Sequence, residues 1–280
     1  MWKIVDWRTS WELDPLQAPP GMKCISIFHQ LPYWNDLLIN HLLDPMHIFK
    51  NIAEVLWKTI TGAKESKGQR DDLQEVGRMQ DLWAQNTVDG KVKLPKAPWV
   101  MRKEEQRRVK KCIGEFRTPT GCMHCLKGAF TKDDELSGLK SHDWHKILQF
   151  VLPIAIKDCL SDDIRATIYK IGTVVRWISR KEIGIDTIET ARLNSIEAVT
   201  MAEKYFPTSI LTIQMHLLVH VVDEVVVAGV VHSRWMFFLE RFMKTLKGFV
   251  RQRARLEGSM PMGWLVSRIT CIHNRISQYN

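Results

Sequence analysis

The chain has 280 residues and carries 40 lysines and arginines against 31 aspartates and glutamates, which gives a net charge of +9 and a pI near 9.3. Its hydrophobic fraction of 45% and its eleven tryptophans supply ample apolar area for a buried core, and they exclude a disordered tail. The basic balance favours an anionic partner such as nucleic acid. Six cysteines without a regular framework favour a reducing compartment, and the lack of an apolar run of about 18 residues argues against a membrane partner.

The first strong helix is predicted to begin at Asp44 and Pro45, after an irregular segment rich in Trp, Pro and Gly. Asp can cap a helix and Pro suits its first turn, and apolar residues then follow at helical spacing as far as Ile60. The same pattern predicts that this helix ends near Thr61 and Gly62.

A boundary is predicted at 87–100, because Gly90, Pro95 and Pro98 are typical of a linker. The chain is accordingly divided into units 1–86 and 101–280. Further helices are predicted at 103–113, 144–161, 164–179 and 187–205, whereas 225–231 fits a strand as well as a helix. The predicted fold class is mainly α, a helical bundle-like domain with at most a few short strands.

The stretch 229–260 carries the strongest pattern in the chain. At helical spacing, one side of a helix is apolar, with Leu239, Phe242, Met243, Leu246 and Val250. The other side is basic, with Arg241, Lys244, Lys247, Arg251 and Arg255. Glu240 lies within the basic stripe and has two interpretations. It is either a metal-binding acid that faces phosphate, or the partner of Lys244 in an i,i+4 ion pair worth about 0.3–0.5 kcal/mol.

Two other groups of residues have both a metal-binding and a structural interpretation. Cys122 and Cys125 followed by His142 and His145 suggest zinc, but the histidine spacing is unusual, and these histidines suit the start of a helix capped by Ser141. His216, His220 and Glu224 share one helix face and could bind a metal, but the helix is apolar and the two histidines are interpreted as core residues. No metal site is therefore predicted.

Asp44 and His47 are one helical turn apart and could orient each other or a metal-bound water. A helix cap explains Asp44 without any chemistry, since such a cap contributes about 1 kcal/mol. The basic segment 102–111 suits phosphate binding, nuclear import or a solvated helix face equally well.

Two blocks of this sequence resemble the plant CACTA-type (En/Spm-like) transposases. The first covers 26–34 and 41–51, and it is similar to a signature near the end of the transposase domain. The second runs from 103 to 262, and it is similar to the uncharacterised domain that follows, through the segments 138–145, 152–156, 206–207, 215–220, 234–241 and 251–259. The sequence departs from the family pattern at Asn40, Leu42, Phe49 and Leu256.

The resemblance implies a ribonuclease-H-like enzyme that uses three acidic residues and Mg or Mn. It makes Asp44 and His47 the family's acid-x-x-His element and Glu240 the candidate third acid, and it places the first two acids upstream of this chain. Unit 1–86 would then be the end of the transposase domain, with its short strands left from a truncated ribonuclease-H-like core. Unit 101–280 would be the associated helical domain of unknown function.

The expected function is nuclear, non-specific DNA binding without autonomous strand cleavage and without a cofactor in this chain. The expected DNA-binding residues are Arg241, Lys244, Lys247, Arg251, Arg253 and Arg255. One alternative is an interaction module that self-associates or binds transposase subunits through Trp235, Phe237 and Phe238. The other is a truncated or decayed copy with no retained function. No membrane partner is expected.

Overall fold

The computed structural model describes residues 31–86, 91–117, 126, 130, 136, 138–251 and 255–276, and it confirms a mainly α fold. The α-helices in chain order are α1 Pro45–Ile60, α2 Lys67–Glu75, α3 Lys103–Glu115, α4 Ser141–Lys146, α5 Leu152–Ala155, α6 Asp162–Ile178, α7 Ile188–Tyr205, α8 Ile213–Ala228, α9 Phe237–Gly248 and α10 Leu256–Ile276. Within the described residues, two short strands, β1 Gln85–Asn86 and β2 Val92–Lys93, pair antiparallel with Gln85 opposite Lys93.

Helix α1 begins and ends where the sequence predicts. The side chain of Asp44 accepts from the backbone N–H groups of Met46 and His47, as a capping residue does. The helix stops at Thr61, and Gly62 follows with φ +77°, a left-handed conformation that suits glycine. One face of α1 is buried and includes Phe49 and Leu56, neither of which is exposed.

Helices α3, α6 and α7 also agree closely with the prediction, but the helix predicted at 144–161 does not form as one piece. It begins earlier, at Ser141, passes through a π-helical segment at Ile147–Val151 and ends at Ala155. Pro153 has no backbone N–H to give to a carbonyl one turn back, which disturbs the regular ladder at this point. The predicted cap at Ser141 is wrong, because Asp143 accepts from the backbone N–H of Lys140 at 3.0 Å instead.

The ambiguous segment 225–231 is helical as far as Ala228, where Gly229, at φ +74°, ends α8. A short 3-10 turn at Val231–Arg234 then leads into α9. In the described part of the chain, no single helix is long and apolar enough to cross a membrane. Helix α8 together with Val231–Gly248 meets that test by length and composition alone, as a pair bent by 90°.

The hydrophobic core lies between α1 and the helices that follow the predicted linker. Helix α1 packs against α4 and α8, while α7 packs against α6 and α8. Phe49 and Leu148, from opposite sides of 87–100, belong to the same buried cluster. Trp99, within the predicted linker, is also buried, and its indole N–H donates to Glu65 at 2.9 Å. The division into units 1–86 and 101–280 stays a prediction.

Candidate functional site

The structure brings together Asp44, His47 and Glu240, the three side chains that the resemblance to transposases makes candidate catalytic residues. One carboxylate oxygen of Asp44 caps α1, and the other lies 2.5 Å from Nδ1 of His47. On the far side of the ring, Nε2 of His47 lies 3.3 Å from Oε1 of Glu240, which is in the first turn of α9. Asp44 therefore caps α1 and contacts His47 with the same side chain.

This arrangement, hereafter the Asp44–His47–Glu240 relay, places an imidazole between two carboxylates. A neutral imidazole can donate to one of them, and a protonated imidazole can donate to both. The relay is open to solvent, since the side chains of His47 and Glu240 are each 49% exposed. Chemically it can hold a proton between two acids.

The relay geometry differs from that of a metal-binding acid cluster. Both ring nitrogens of His47 face carboxylates, and the ring lies between the two acids. Among the described residues, no group of three or more His, Cys, Asp or Glu side chains is arranged to hold a metal ion. The other interpretation of Glu240 pairs it with Lys244, but among the described residues its carboxylate contacts His47 and forms no ion pair with Lys244.

A buried ion pair fixes the backbone beside the relay. Glu224 on α8 accepts the backbone N–H of Leu43 at 2.7 Å through one oxygen, and Nη1 of Arg234 donates to its other oxygen at 2.5 Å. The two side chains are 8% and 9% exposed. This network joins α8, the turn before α9 and the residue that precedes Asp44. The sequence gives no sign of it, because Glu224 and Arg234 are ten residues apart and α8 is otherwise apolar.

An aromatic cluster lies beneath the relay. Nε2 of the buried His145 is 2.7 Å from the backbone carbonyl of Met46, in the first turn of α1. The His145 ring packs against Phe49, Trp235 and Phe237 with ring centroids 5.4–5.8 Å apart. Burial lowers the pKa of His145 from 6.5 to about 4, so this ring is neutral at physiological pH. Trp235 and Phe237, predicted as interaction residues, pack largely inside this cluster.

Of the basic residues predicted to bind DNA, the five that the structure describes are exposed, but they do not all lie on one helix. Arg241, Lys244 and Lys247 are on α9, which ends at Gly248. Arg251 and Arg255 lie on the connection between α9 and α10, so the prediction of one continuous helical stripe is wrong for them. Arg253 lies outside the described residues. The five described cations, hereafter the basic face, form no ion pair with the described acids.

The apolar side of the same helix is uncovered. Helix α9 buries none of its residues, and Phe238, Leu239, Phe242 and Met243 are between 42% and 68% exposed. Helix α10 contacts α9 and likewise exposes apolar side chains, namely Met262, Trp264, Leu265, Val266 and Ile269. The two helices therefore present both a basic and an apolar surface to solvent.

Two further residue patterns suggest metal binding in the sequence, and the structure describes them to different extents. Cys122 and Cys125 lie outside the described residues, and His142 and His145 belong to α4 as the helical interpretation predicts. His216 and His220 are not core residues: His216 is exposed, His220 is half-buried, and their Nε2 atoms are 3.0 Å apart. Glu224, the third member of that pattern, faces Arg234 instead.

A family model described as a domain of unknown function (DUF4218) matches residues 178–279, which is just over a third of the chain. The chain is similar in this region to a domain found in plant transposase-related proteins. The match begins at the last residue of α6, and it includes α8, the basic face and Glu240. No curated protein and no solved structure matches the chain.

Proposed function

We propose that this chain is a CACTA-type transposase-related protein that acts in the nucleus and binds DNA, without sequence preference, through the basic face. The observation that carries the proposal is the exposure of five cations within fifteen residues, none of them neutralised by a described acid. Exposed lysine and arginine side chains without an acidic partner can bind phosphate oxygens of DNA. Each phosphate that they neutralise releases a counterion into solution.

The charges around the basic face add to this support. Glu240 is the one acid on α9, and its carboxylate contacts His47 rather than a cation of the basic face. The whole chain carries a net charge of +9, which attracts DNA over a longer range. The match to a domain found in transposase-related proteins covers these residues and is consistent with a DNA partner.

The proposal assigns DNA binding, and not strand cleavage, to this chain. Metal-dependent phosphodiester cleavage needs carboxylates that converge on the same ions. In the relay, the ring of His47 separates the carboxylates of Asp44 and Glu240, and both of its nitrogens face them.

The test is the affinity for a fluorescein-labelled duplex of mixed sequence, measured by fluorescence anisotropy at low salt. In the double variant R251E/R255E, two cations of the basic face become anions, and binding should weaken by about tenfold or more. A control variant with the same change in net charge is K64E/K181E, since Lys64 and Lys181 are exposed and remote in sequence from the basic face. It should bind nearly as well as the wild type.

Equal weakening in both double variants would show that net charge alone drives binding, and it would overturn the assignment to the basic face. Unchanged binding in R251E/R255E would do the same. Circular dichroism of each variant shows whether the helices are retained.

The uncovered apolar side of α9 and α10 favours a second candidate function, self-association with another copy of this chain. Large exposed apolar patches mark protein–protein interfaces, and two such helix pairs can bury each other's faces in a four-helix arrangement. Phe238 and Phe242 stack at 6.4 Å on this surface. Light scattering after size-exclusion chromatography should then show a dimer, and the double variant F238E/F242E should be a monomer. The control variant L193E changes an exposed apolar residue outside this surface and should remain a dimer. A monomeric wild type would exclude this function.

A further inference from the structure

We propose that His216 and His220 on α8 form a binding site for one divalent transition metal ion of the zinc, nickel or copper class. The proposal is independent of DNA binding, because the two histidines are not part of the basic face or of the relay. It concerns a surface of α8 that the proposed function does not use.

The distance between the two imidazoles supports the site. Their Nε2 atoms are 3.0 Å apart, and the ring centroids are 4.7 Å apart. Two nitrogens that each bind one ion at about 2.0–2.1 Å, in neighbouring coordination positions, are about 2.9–3.4 Å apart. The pair therefore already has the separation that a shared ion requires.

Helical spacing and exposure also support the site. Residues four apart lie on the same face of a helix, and this part of α8 is well formed. His216 is exposed and His220 is half-buried, so an ion can reach both rings without unfolding of the core. In the present contact, one of the two Nε2 atoms must act as the hydrogen-bond donor. A shared ion would replace this contact by one metal bond to each nitrogen.

The chain itself supplies two ligands, and water fills the other positions. Asp223, one turn beyond His220, accepts from Nε of Arg192 at 2.7 Å, and Glu224 is bound to Arg234. Two imidazoles without a carboxylate favour zinc, nickel and copper over magnesium and calcium, which prefer oxygen ligands.

The experiment is isothermal titration of the full chain with ZnCl₂ or NiCl₂ after removal of metals with EDTA. The wild type should bind one ion at this site, and H216Q or H220Q should bind it at least about tenfold more weakly. The control variant H232Q alters an exposed histidine on the turn before α9, and it should bind the ion like the wild type. MgCl₂ should give no binding at this site.

Thermal unfolding provides a second readout, because an ion that bridges two turns of α8 stabilises the folded chain. Zinc should raise the melting temperature of the wild type and of H232Q more than that of H216Q. The proposal is overturned if the wild type shows no binding up to about 100 µM metal. It is also overturned if the exposed substitution H216Q leaves both the affinity and the melting shift unchanged.

Discussion

The substitution E224Q tests how strongly the buried ion pair between Glu224 and Arg234 holds the start of α1. Glutamine keeps an oxygen for the backbone N–H of Leu43, which Glu224 now accepts at 2.7 Å. It removes the negative charge that faces Arg234, whose side chain is 9% exposed. Nε and Nη2 of that guanidinium are buried and have no hydrogen-bond partner among the described residues. The carboxylate of Glu224 is therefore the main group that stabilises the buried positive charge of Arg234.

An uncompensated buried charge costs about 3–5 kcal/mol of stability, and E224Q should lose an amount in this range. In the double variant E224Q/R234M neither charge remains, and glutamine still accepts from Leu43. Its loss should therefore be about 1–2 kcal/mol, well below the sum of the two single losses.

Urea unfolding at 25 °C, followed by tryptophan fluorescence and circular dichroism, measures these free energies from the shift in midpoint. The control is E115Q, which breaks the surface pair of Lys111 and Glu115, whose side chains are 74% and 69% exposed. That substitution should cost less than about 0.5 kcal/mol. A loss below about 1 kcal/mol for E224Q, or additive losses in the double variant, would refute the reasoning.

Three further predictions concern packing, protonation and capping. G172A should destabilise, because its Cβ would lie 2.8 Å from the carbonyl oxygen of Leu148, whereas G114A, with nothing within 4 Å, should be neutral or stabilising by up to about 1 kcal/mol in urea unfolding. The pKa of His145 falls from 6.5 in the unfolded chain to about 4 in the folded one, so the unfolded chain takes up the proton first and stability is lost as the pH falls through this window. Between these two pH values the wild type should lose about 3 kcal/mol of stability through His145, and H145Q should not show this loss. The free energy of unfolding of both proteins, measured at several pH values, checks this. D44A removes the cap of α1 and should cost about 1 kcal/mol, while D44N, which still caps, should cost clearly less in the same assay.

Each of these predictions has an outcome that contradicts it. Equal effects of alanine at Gly172 and Gly114 would mean that the close helix approach is not rigid. Parallel pH profiles for the wild type and H145Q would mean that His145 is not buried as a neutral ring. Equal losses in D44A and D44N would assign the effect to the lost charge near His47 rather than to the cap.

Local signals made α1 predictable from the sequence. Asp44 and Pro45 set its start, Thr61 and Gly62 its end, and the spacing of apolar residues gave its buried face. The same reasoning predicted that Asp44 caps the helix and lies beside His47, but not that His47 would contact Glu240, almost 200 residues away in the chain. That contact depends on how α9 leaves the turn at Val231–Arg234, which no local pattern specifies.

The errors have physical causes of the same kind. Helical spacing alone put Arg251 on the stripe of α9, although the helix ends at Gly248. The apolar sequence of α8 predicts a core position for His216, but the packing of α8 against α1 and α7 decides which of its sides is exposed. Helical spacing offers Lys244 as a partner for Glu240 one turn away, but His47 contacts Glu240 from another helix.

The salt dependence of DNA binding tests the central claim most directly. If all five described cations of the basic face neutralise phosphates, the logarithm of the association constant should fall with the logarithm of salt concentration with a slope of about −4.5. In R251E/R255E the slope should flatten to about −3, while K64E/K181E should keep the wild-type value. A wild-type slope near zero, or a slope that R251E/R255E leaves unchanged, would contradict DNA binding by this face.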